Sequence, residues 1–585
     1  MQAGLSLFSM RYLKYSAIAI ISCCICLLTP LTIPVAAKSH WVVQSNTSAE
    51  LLFEAISADE CQEKIGVGDR LREINPAFKT CRNKNIIGAV RTLEQKLDRV
   101  KNPELRLDLE ILLEFGRQRL RSYELDEQYR LPYIDLSEAI LEDLQALADR
   151  NVSSQQISTK LRQYAGLESH TALASKLERA IETQLQKSEF VLPNQKWLEE
   201  DLKDNARQIS NISAFLEERD IADDRPAYAA LKTQLYEYET FIRTQVLPLA
   251  KRAGSFRLPP ELYAFQLAEN GIEIPVEELI EQAHTAFSRI QQQMNKMAQK
   301  IAQERGVKIS SYRDVIQLFQ QERLSAEETL KLYQKRSQQL ETIIERENLV
   351  TLPDNKFKIR LATASEKKNF PVPLYDSDSS TFVLPVFQNP KKAEQYNDFT
   401  NPAMSWTLTV HEGRPGHDLQ FAVLDRLKLS DVRSGMIRNA SNVEGWATYA
   451  EIMMLPYLPL EGQFMSLQFQ LLRAARAFLE AKLQAGKITK TEALKVLTVD
   501  AGFSEFFAKQ EIERYTTRIP GQAPAYFYGS QKLLQLKEQA EETLGAEFTL
   551  KKFHDFVLSQ GFLTPKQLER VLMSKLNNNI DDRSF

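Results

Sequence analysis

The chain is predicted to fold as a mainly α-helical protein of two lobes with one small β element. Three observations carry that prediction: helical spacing of apolar residues along nearly every long segment, cap chemistry at segment starts, and strand signals confined to one stretch. Leu105, Leu107, Leu109, Ile111, Leu112 and Leu113 fall on a helical period, as do Leu141, Leu144, Leu147 and Ala148. Ser137-Glu138 opens one helix, Ser325-Ala-Glu-Glu328 reads as a capping box, and Thr564-Pro565 puts proline at a first helical position. Between Phe357 and Pro390 the pattern changes. Phe370-Pro-Val-Pro-Leu-Tyr375 is extended, Asp376-Ser-Asp-Ser-Ser380 is a turn cluster, and Thr381-Phe-Val-Leu-Pro385 reads as a strand.

In chain order, the first element is residues 1–37, where Arg11 and Lys14 precede an apolar run from Ser16 to Leu28 and Val35-Ala-Ala37 follows. That order is a secretory signal. A retained anchor is the other reading, but Pro30 and Pro34 interrupt the segment before a small-residue cleavage site. A periplasmic or extracellular protein is expected, without stable membrane insertion after cleavage; a lipid anchor on Cys23 is a variant. Only Cys61 and Cys81 then remain, and an oxidising compartment allows them either to pair or to stay as thiols. The remainder divides at Arg257-Leu-Pro-Pro260, where two prolines must break a long helical pattern. This gives an N-terminal helical lobe over 38–256 and a second lobe, carrying the candidate chemistry, over 257–585.

A length of 585 residues exceeds what one compact core usually spans. With 43% hydrophobic and 26% charged residues, the chain is neither disordered nor multi-spanning. A net charge of -3 and no Lys/Arg stripe give nucleic acid no electrostatic footing. Oligomeric state is left open.

Chemistry concentrates in Ser405–Gln420, where two of six histidines, His411 and His417, lie six residues apart with Glu412 beside the first. In a zincin helix two histidines one turn apart bind zinc, and a glutamate next to the first activates water. Six steps along a regular helix would instead turn the second histidine away. The two could share a metal only across an interruption, which Gly413, Pro415 and Gly416 are able to supply. The alternative is a helix ending at Gly413 with two unrelated histidines. A third ligand is expected from Ser441-Asn-Val-Glu-Gly-Trp-Ala-Thr-Tyr-Ala-Glu451, where Ser441 reads as a cap. Glu444 stands there on an apolar face, unusual unless paired or bound to metal; Glu451 reads as supporting or surface. Two histidines and one carboxylate favour Zn2+, although the same set suits iron in another geometry.

The pattern His-Glu-x-x-Pro-Gly-His-x-x-Gln at 411–420, Glu-Gly-Trp-Ala-x-Tyr-Ala-Glu at 444–451 and Pro-Gly-Gln-Ala-x-x-Tyr at 520–526 resembles the bacterial domain-of-unknown-function 885 family, DUF885, grouped with zincin-like metallopeptidases. The resemblance implies a zincin-like peptidase fold with a deep cleft, zinc on His411, His417 and Glu444, and Glu412 as general base. One departure stands out: Arg476-Ala-Phe-Leu-Glu-Ala-Lys-Leu-Gln484 carries glutamine where such proteins have histidine. The expected activity is an exported zinc hydrolase cleaving short peptides or another small amide. Tyr526 or Tyr528 would donate to the oxyanion, and Arg514 and Arg518 would hold a substrate carboxylate. A catalytically silent binding protein, or an amidase or esterase, are the alternatives. Asp418 and Gln420 are candidates to orient a ligand histidine, Tyr375 to line the cleft, and His554 to be structural.

Overall fold

The computed structural model describes residues 39–578 except 62–68, 150–151, 168–169, 220, 222–224, 253, 370–371 and 388–396. The predicted signal segment, with Cys23, lies outside the described residues. No helix among them is long and apolar enough to cross a membrane.

The chain is mainly helical, and its buried residues form three cores. Helices α1 (His40–Ser57), α2 (Pro76–Leu97) and α3 (Pro103–Tyr129) form an N-terminal group, α2 and α3 each opening on an asparagine cap followed by proline. The disulfide Cys61–Cys81 ties the segment after α1 to α2, so the two thiols do pair. Helices α4 (Leu136–Asp149), α5 (Ser154–Tyr164), α6 (Leu173–Leu185), α7 (Gln195–Glu218) and α8 (Arg225–Phe241) enclose a core of their own. The cap of α4 is Asp135, which accepts from the Glu138 N–H and the Ser137 hydroxyl, so that helix starts one residue earlier than Ser137 predicts.

Beyond the two prolines follow α9 (Pro260–Glu269), α10 (Val276–Arg305), α11 (Tyr312–Gln321) and α12 (Ala326–Arg346), the last with the predicted Ser325–Glu328 capping box. The chain break near 257 is real, but the cores do not divide there. Leu52, Leu93, Leu112 and others of α1–α3 share a core with Trp406, Leu419, Trp446 and Phe553, while the helices α4–α8 contribute, among the described residues, to a core of their own.

The β element is a three-stranded sheet in the order β1 (Lys358–Leu361), β3 (Thr381–Leu384), β2 (Leu374–Asp376). The central strand β3 runs parallel to β1 and antiparallel to β2, with Tyr375 opposite Phe382. All four residues of β3 are buried, as a strand covered on both faces requires. The remaining helices are α13 (Met404–Glu412), α14 (His417–Arg426), α15 (Ala440–Met454), α16 (Leu460–Gln484), α17 (Glu505–Glu513), α18 (Ala525–Leu544), α19 (Leu550–Ser559) and α20 (Pro565–Asn578). Helix α15 packs backbone to backbone on α18: a Cβ on Gly445 would stand 2.7 Å from the Gly529 Cα, and one on Gly529 would stand 2.0 Å from the Ser441 carbonyl oxygen. That approach sets Glu444 and Tyr526 side by side.

Candidate metal centre

Every residue of α13 is buried, and the helix stops where the sequence breaks it. The Gly413 N–H closes the last turn on the Thr409 carbonyl at 3.0 Å, and α14 begins at His417 after Arg414-Pro415-Gly416. Within this turn the Arg414–Pro415 peptide is cis, and the Gly416 N–H reaches back to the Val410 carbonyl at 2.9 Å. A Cβ on Gly416 would lie 2.0 Å from the His411 carbonyl oxygen, so only glycine fits. Trp446 Nε1 donates to the Pro415 carbonyl at 2.9 Å. The buried Arg414 guanidinium donates to Asp418 at 2.8 Å and to Glu341 at 2.9 Å. The helix therefore ends and restarts, and the restart turns His417 back onto His411, with ring centroids 4.8 Å apart and edge to face.

Glu444 completes the cluster from the first turns of α15. Its Oε2 lies 3.6 Å from His411 Nε2 and 3.5 Å from His417 Nε2, and one donor atom from each of the three lies within 4.8 Å of the others. The cap of α15 is Asn439, which accepts from the Asn442 N–H; Ser441 instead donates its hydroxyl to the Asn270 carbonyl. Donors tetrahedrally placed around zinc stand about 3.3 Å apart. The two carboxylate-to-imidazole separations are close to that spacing, and the donor types suit that ion. A second feature fits as well: Glu444 Oε2 is a buried polar atom with no hydrogen-bond partner among the described residues.

Two turns along α15 from Glu444, Glu451 is buried behind His411. Its Oε1 lies 2.7 Å from His411 Nδ1 and accepts from Arg473 Nη2 at 3.0 Å. A carboxylate on the far nitrogen of a histidine fixes the ring and leaves Nε2 free to ligate.

Charges in this space are strongly coupled. Burial disfavours protonated His411, but the Glu444 and Glu451 carboxylates outweigh it and push His411 up to about 9. Burial also opposes ionisation of Glu444, yet its two histidines hold it well below the usual carboxylate range. Glu412 is raised by burial, against the pull of His411 and His417, and its carboxylate accepts the Tyr375 backbone N–H. The Tyr375 ring lies nearly parallel to that of His417 at 6.4 Å, and its hydroxyl donates to Asp418 at 3.2 Å, which puts the edge strand β2 against the cluster.

Among the other predicted residues, Tyr526 and Arg514 are at the cluster. The Tyr526 ring lies parallel to the His411 ring at 6.4 Å, and Arg514 Nη2 donates to its hydroxyl at 3.2 Å. Tyr528 and Arg518 are elsewhere. Two residues along a helix is a rotation of roughly 200°, so Tyr528 faces Lys532 and the Glu273 backbone. Arg518 is exposed and donates to the Gln510 carbonyl. Asp418 serves Arg414 and Tyr375, and Gln420 donates to Asn442, so neither orients a histidine. His554 is structural as expected, with Nδ1 on the Leu349 carbonyl and Nε2 on the Tyr449 hydroxyl.

Sequence reasoning missed Arg473, Arg476 and Glu511. Their guanidinium carbons lie 5.3 Å and 4.7 Å from the Tyr526 ring, and Glu511 receives Arg476 through two bonds of 2.6 and 3.0 Å. The available signal was two arginines inside the apolar run Leu471–Leu479, where a charge needs a buried partner.

The family model described as bacterial protein of unknown function, DUF885, matches residues 60–572. The chain belongs to this family. Two solved structures are similar to this DUF885 chain over 92% of its length. One is a candidate lipoprotein of unknown function from Shewanella oneidensis, with TM-score 0.68 and 17% identity, matched over 100% of its own chain. The other is a candidate lipoprotein from Colwellia psychrerythraea, with TM-score 0.62 and 18% identity, matched over 98% of its chain. At such identities the likeness is one of fold. No curated protein matches. Gln484, which stands where the family resemblance implies histidine, is buried, accepts the Leu258 N–H at 3.0 Å and donates to the Tyr515 carbonyl at 2.8 Å. In this chain the position joins α16 to its neighbours.

Proposed function

We propose that this DUF885 protein is an exported zinc-dependent metallohydrolase, a peptidase acting on short peptides within a zincin-like, two-lobed fold with a cleft. The observation that carries the reading is the convergence of His411 Nε2, His417 Nε2 and Glu444 Oε2 beside a buried Glu412. Export is supported by the signal-like residues 1–37 and by two neighbours that are themselves candidate lipoproteins. His411, His417 and Glu444 would hold Zn2+. When bound, zinc supplies a Lewis acid that makes water nucleophilic near neutral pH and polarises a carbonyl.

Glu412, raised by burial and steadied by the Tyr375 N–H, is placed to take a proton from the attacking water and deliver it to the leaving amine. Tyr526 accepts from Arg514 and keeps its own hydroxyl proton for the oxyanion, a donor polarised by three guanidinium groups around its ring. The hydrogen bonds of Gln484 within the scaffold weaken the argument that its departure from the family pattern silences the site.

The test is metal content of the purified mature protein beside His417→Ala, followed by hydrolysis of a peptide pool with Glu412→Gln as control. About one zinc per chain, lost in the histidine variant, together with turnover that disappears in the glutamate variant, is the expected result. No zinc after reconstitution would overturn the reading. Zinc without turnover of peptide, amide or ester would leave a binding protein.

A further inference from the structure

The buried charges around Tyr526 do not balance. Arg473 is matched by Glu451, but Arg476 and Arg514 share the single carboxylate of Glu511, Arg476 bidentately and Arg514 at 3.4 Å. The other acceptors of Arg514 are neutral: Gln522 Oε1, reached by Nε at 3.2 Å and Nη2 at 2.6 Å, and the Tyr526 hydroxyl. Glu480 lies within electrostatic reach of Arg514, but its contacts are to the Tyr263 hydroxyl at 3.1 Å and the Gly521 N–H at 2.6 Å and not to a guanidinium, and burial raises its carboxyl. Glu444 also feels Arg514, but is committed to the histidines and their metal. One positive charge, on a guanidinium only 12% exposed, is left over, and a largely buried cation is costly unless an anion meets it.

We infer that the spare charge of Arg514, next to the hydroxyl of Tyr526, receives the free C-terminal carboxylate of a peptide, so that cleavage is confined to the last few residues of its substrate. The inference rests on the hydrolase reading above. The Arg514 guanidinium carbon lies 5.1 Å from the Tyr526 ring, and that ring lies 6.4 Å from His411. Placed end to end these distances span no more than about three extended residues. A terminal carboxylate at Arg514 thus puts one of the final peptide bonds at the cluster. The reaction is plain hydrolysis: water adds to the carbonyl carbon, the C–N bond breaks, and the released C-terminal fragment takes the proton on its new amine. A peptide amide lacks the charge that Arg514 awaits, and a long chain running through the site leaves it unmet.

The experiment uses the zinc-loaded mature protein and a pool of blocked tripeptides prepared once as free acids and once as C-terminal amides. Free acids should be cleaved with kcat/KM about tenfold or more above the amides, the worth of one charge-assisted contact in a buried setting. Arg514→Gln should collapse that ratio toward one, whereas a purely structural role would lower both rates together and preserve it. Equal cleavage of acid and amide would overturn the carboxylate site and leave the hydrolase standing. If neither is cleaved, calorimetric binding of the two pools to Glu412→Gln decides: tighter binding of the acids sustains the subsite without the activity, and equal binding removes both.

Discussion

Two buried ionic assemblies in this protein are built to opposite specifications. Where α1 and α3 meet the turn after α14, Arg433 donates from Nε to Asp108 at 2.6 Å and from Nη2 to the Glu104 carbonyl at 3.0 Å, its Nη1 pairs with the Glu104 carboxylate at 2.8 Å, and Ser45 donates to the other Asp108 oxygen at 2.6 Å. Every group has its partner. At the candidate metal centre, Glu444 Oε2 has no hydrogen-bond partner among the described residues, and it stands 3.6 and 3.5 Å from two imidazoles. A satisfied buried network joins parts of a fold; an unsatisfied one at the same depth is waiting for something.

The comparison breaks most forcefully at the satisfied network. Asp108→Ala would leave the Arg433 Nε and the Ser45 hydroxyl without their buried carboxylate, with only the half-exposed Glu104 still paired to the guanidinium, and chemical denaturation should show a loss of about 3 kcal/mol. Glu444→Gln, in protein stripped of metal, should cost less than Asp108→Ala, because its contacts with His411 and His417 at 3.6 and 3.5 Å are longer than hydrogen bonds and His411 can release its proton once the carboxylate is gone. A large loss from Glu444→Gln in stripped protein would make the centre structural.

Zinc sharpens the contrast. Free zinc at a hundredfold excess over its Kd should stabilise the parent by about 2.7 kcal/mol, seen as a higher Tm, and should do little for His417→Ala or Glu444→Gln. The affinity should rise with pH. His411 is held protonated to about 9 in the metal-free protein, so zinc must displace that proton at neutral pH. A zinc Kd that does not tighten between pH 6 and pH 8 would mean that His411 is not a ligand.

The turn itself carries a comparable effect. Gly416→Ala drives a Cβ into the His411 carbonyl, and should reduce stability by up to about 3 kcal/mol while lowering zinc affinity more than a distant variant of equal cost. Parallel loss of both in unrelated variants would detach the turn from the metal site.

The fold class was legible because helical period and caps recur over long windows, and the sheet because Asp376–Ser380 and Thr381–Leu384 interrupt them. The three candidate ligands were legible for a different reason: histidine is scarce, and glycine and proline announced the break between two of them. What escaped was set by partners distant in sequence. Ser441 reads as a cap until the Asn270 carbonyl, 171 residues away, takes its hydroxyl, and Asn439 caps instead. The division at 257 was drawn from local breakers, whereas core sharing between Leu112 and Trp446 depends on contacts no local window contains. Arg473 and Arg476 escaped because their carboxylate partners, Glu451 and Glu511, lie on other helices.

The smallest effect concerns a histidine that belongs to the satisfied kind. His554 is fully buried with both ring nitrogens bonded, and burial lowers it to about 4, against the slight upward pull of its contact with the Leu349 backbone. The unfolded chain regains an ordinary imidazole near 6.5. Between those values the unfolded state holds the extra proton, so stability increases with pH and is lost on acidification from about 6.5 toward 4. Between pH 7 and pH 5 this single group should cost about 2 kcal/mol. His554→Gln cannot titrate, so it should be less stable than the parent at pH 7 and close part of that gap at pH 5. Asp398, raised by burial to about 6, acts with the opposite sign, its contribution falling as pH rises from about 4 to 6, and Asp398→Asn isolates it. A gap between His554→Gln and the parent that stays constant from pH 7 to pH 5 would show that His554 already shares its proton with water, and would move it out of the satisfied class.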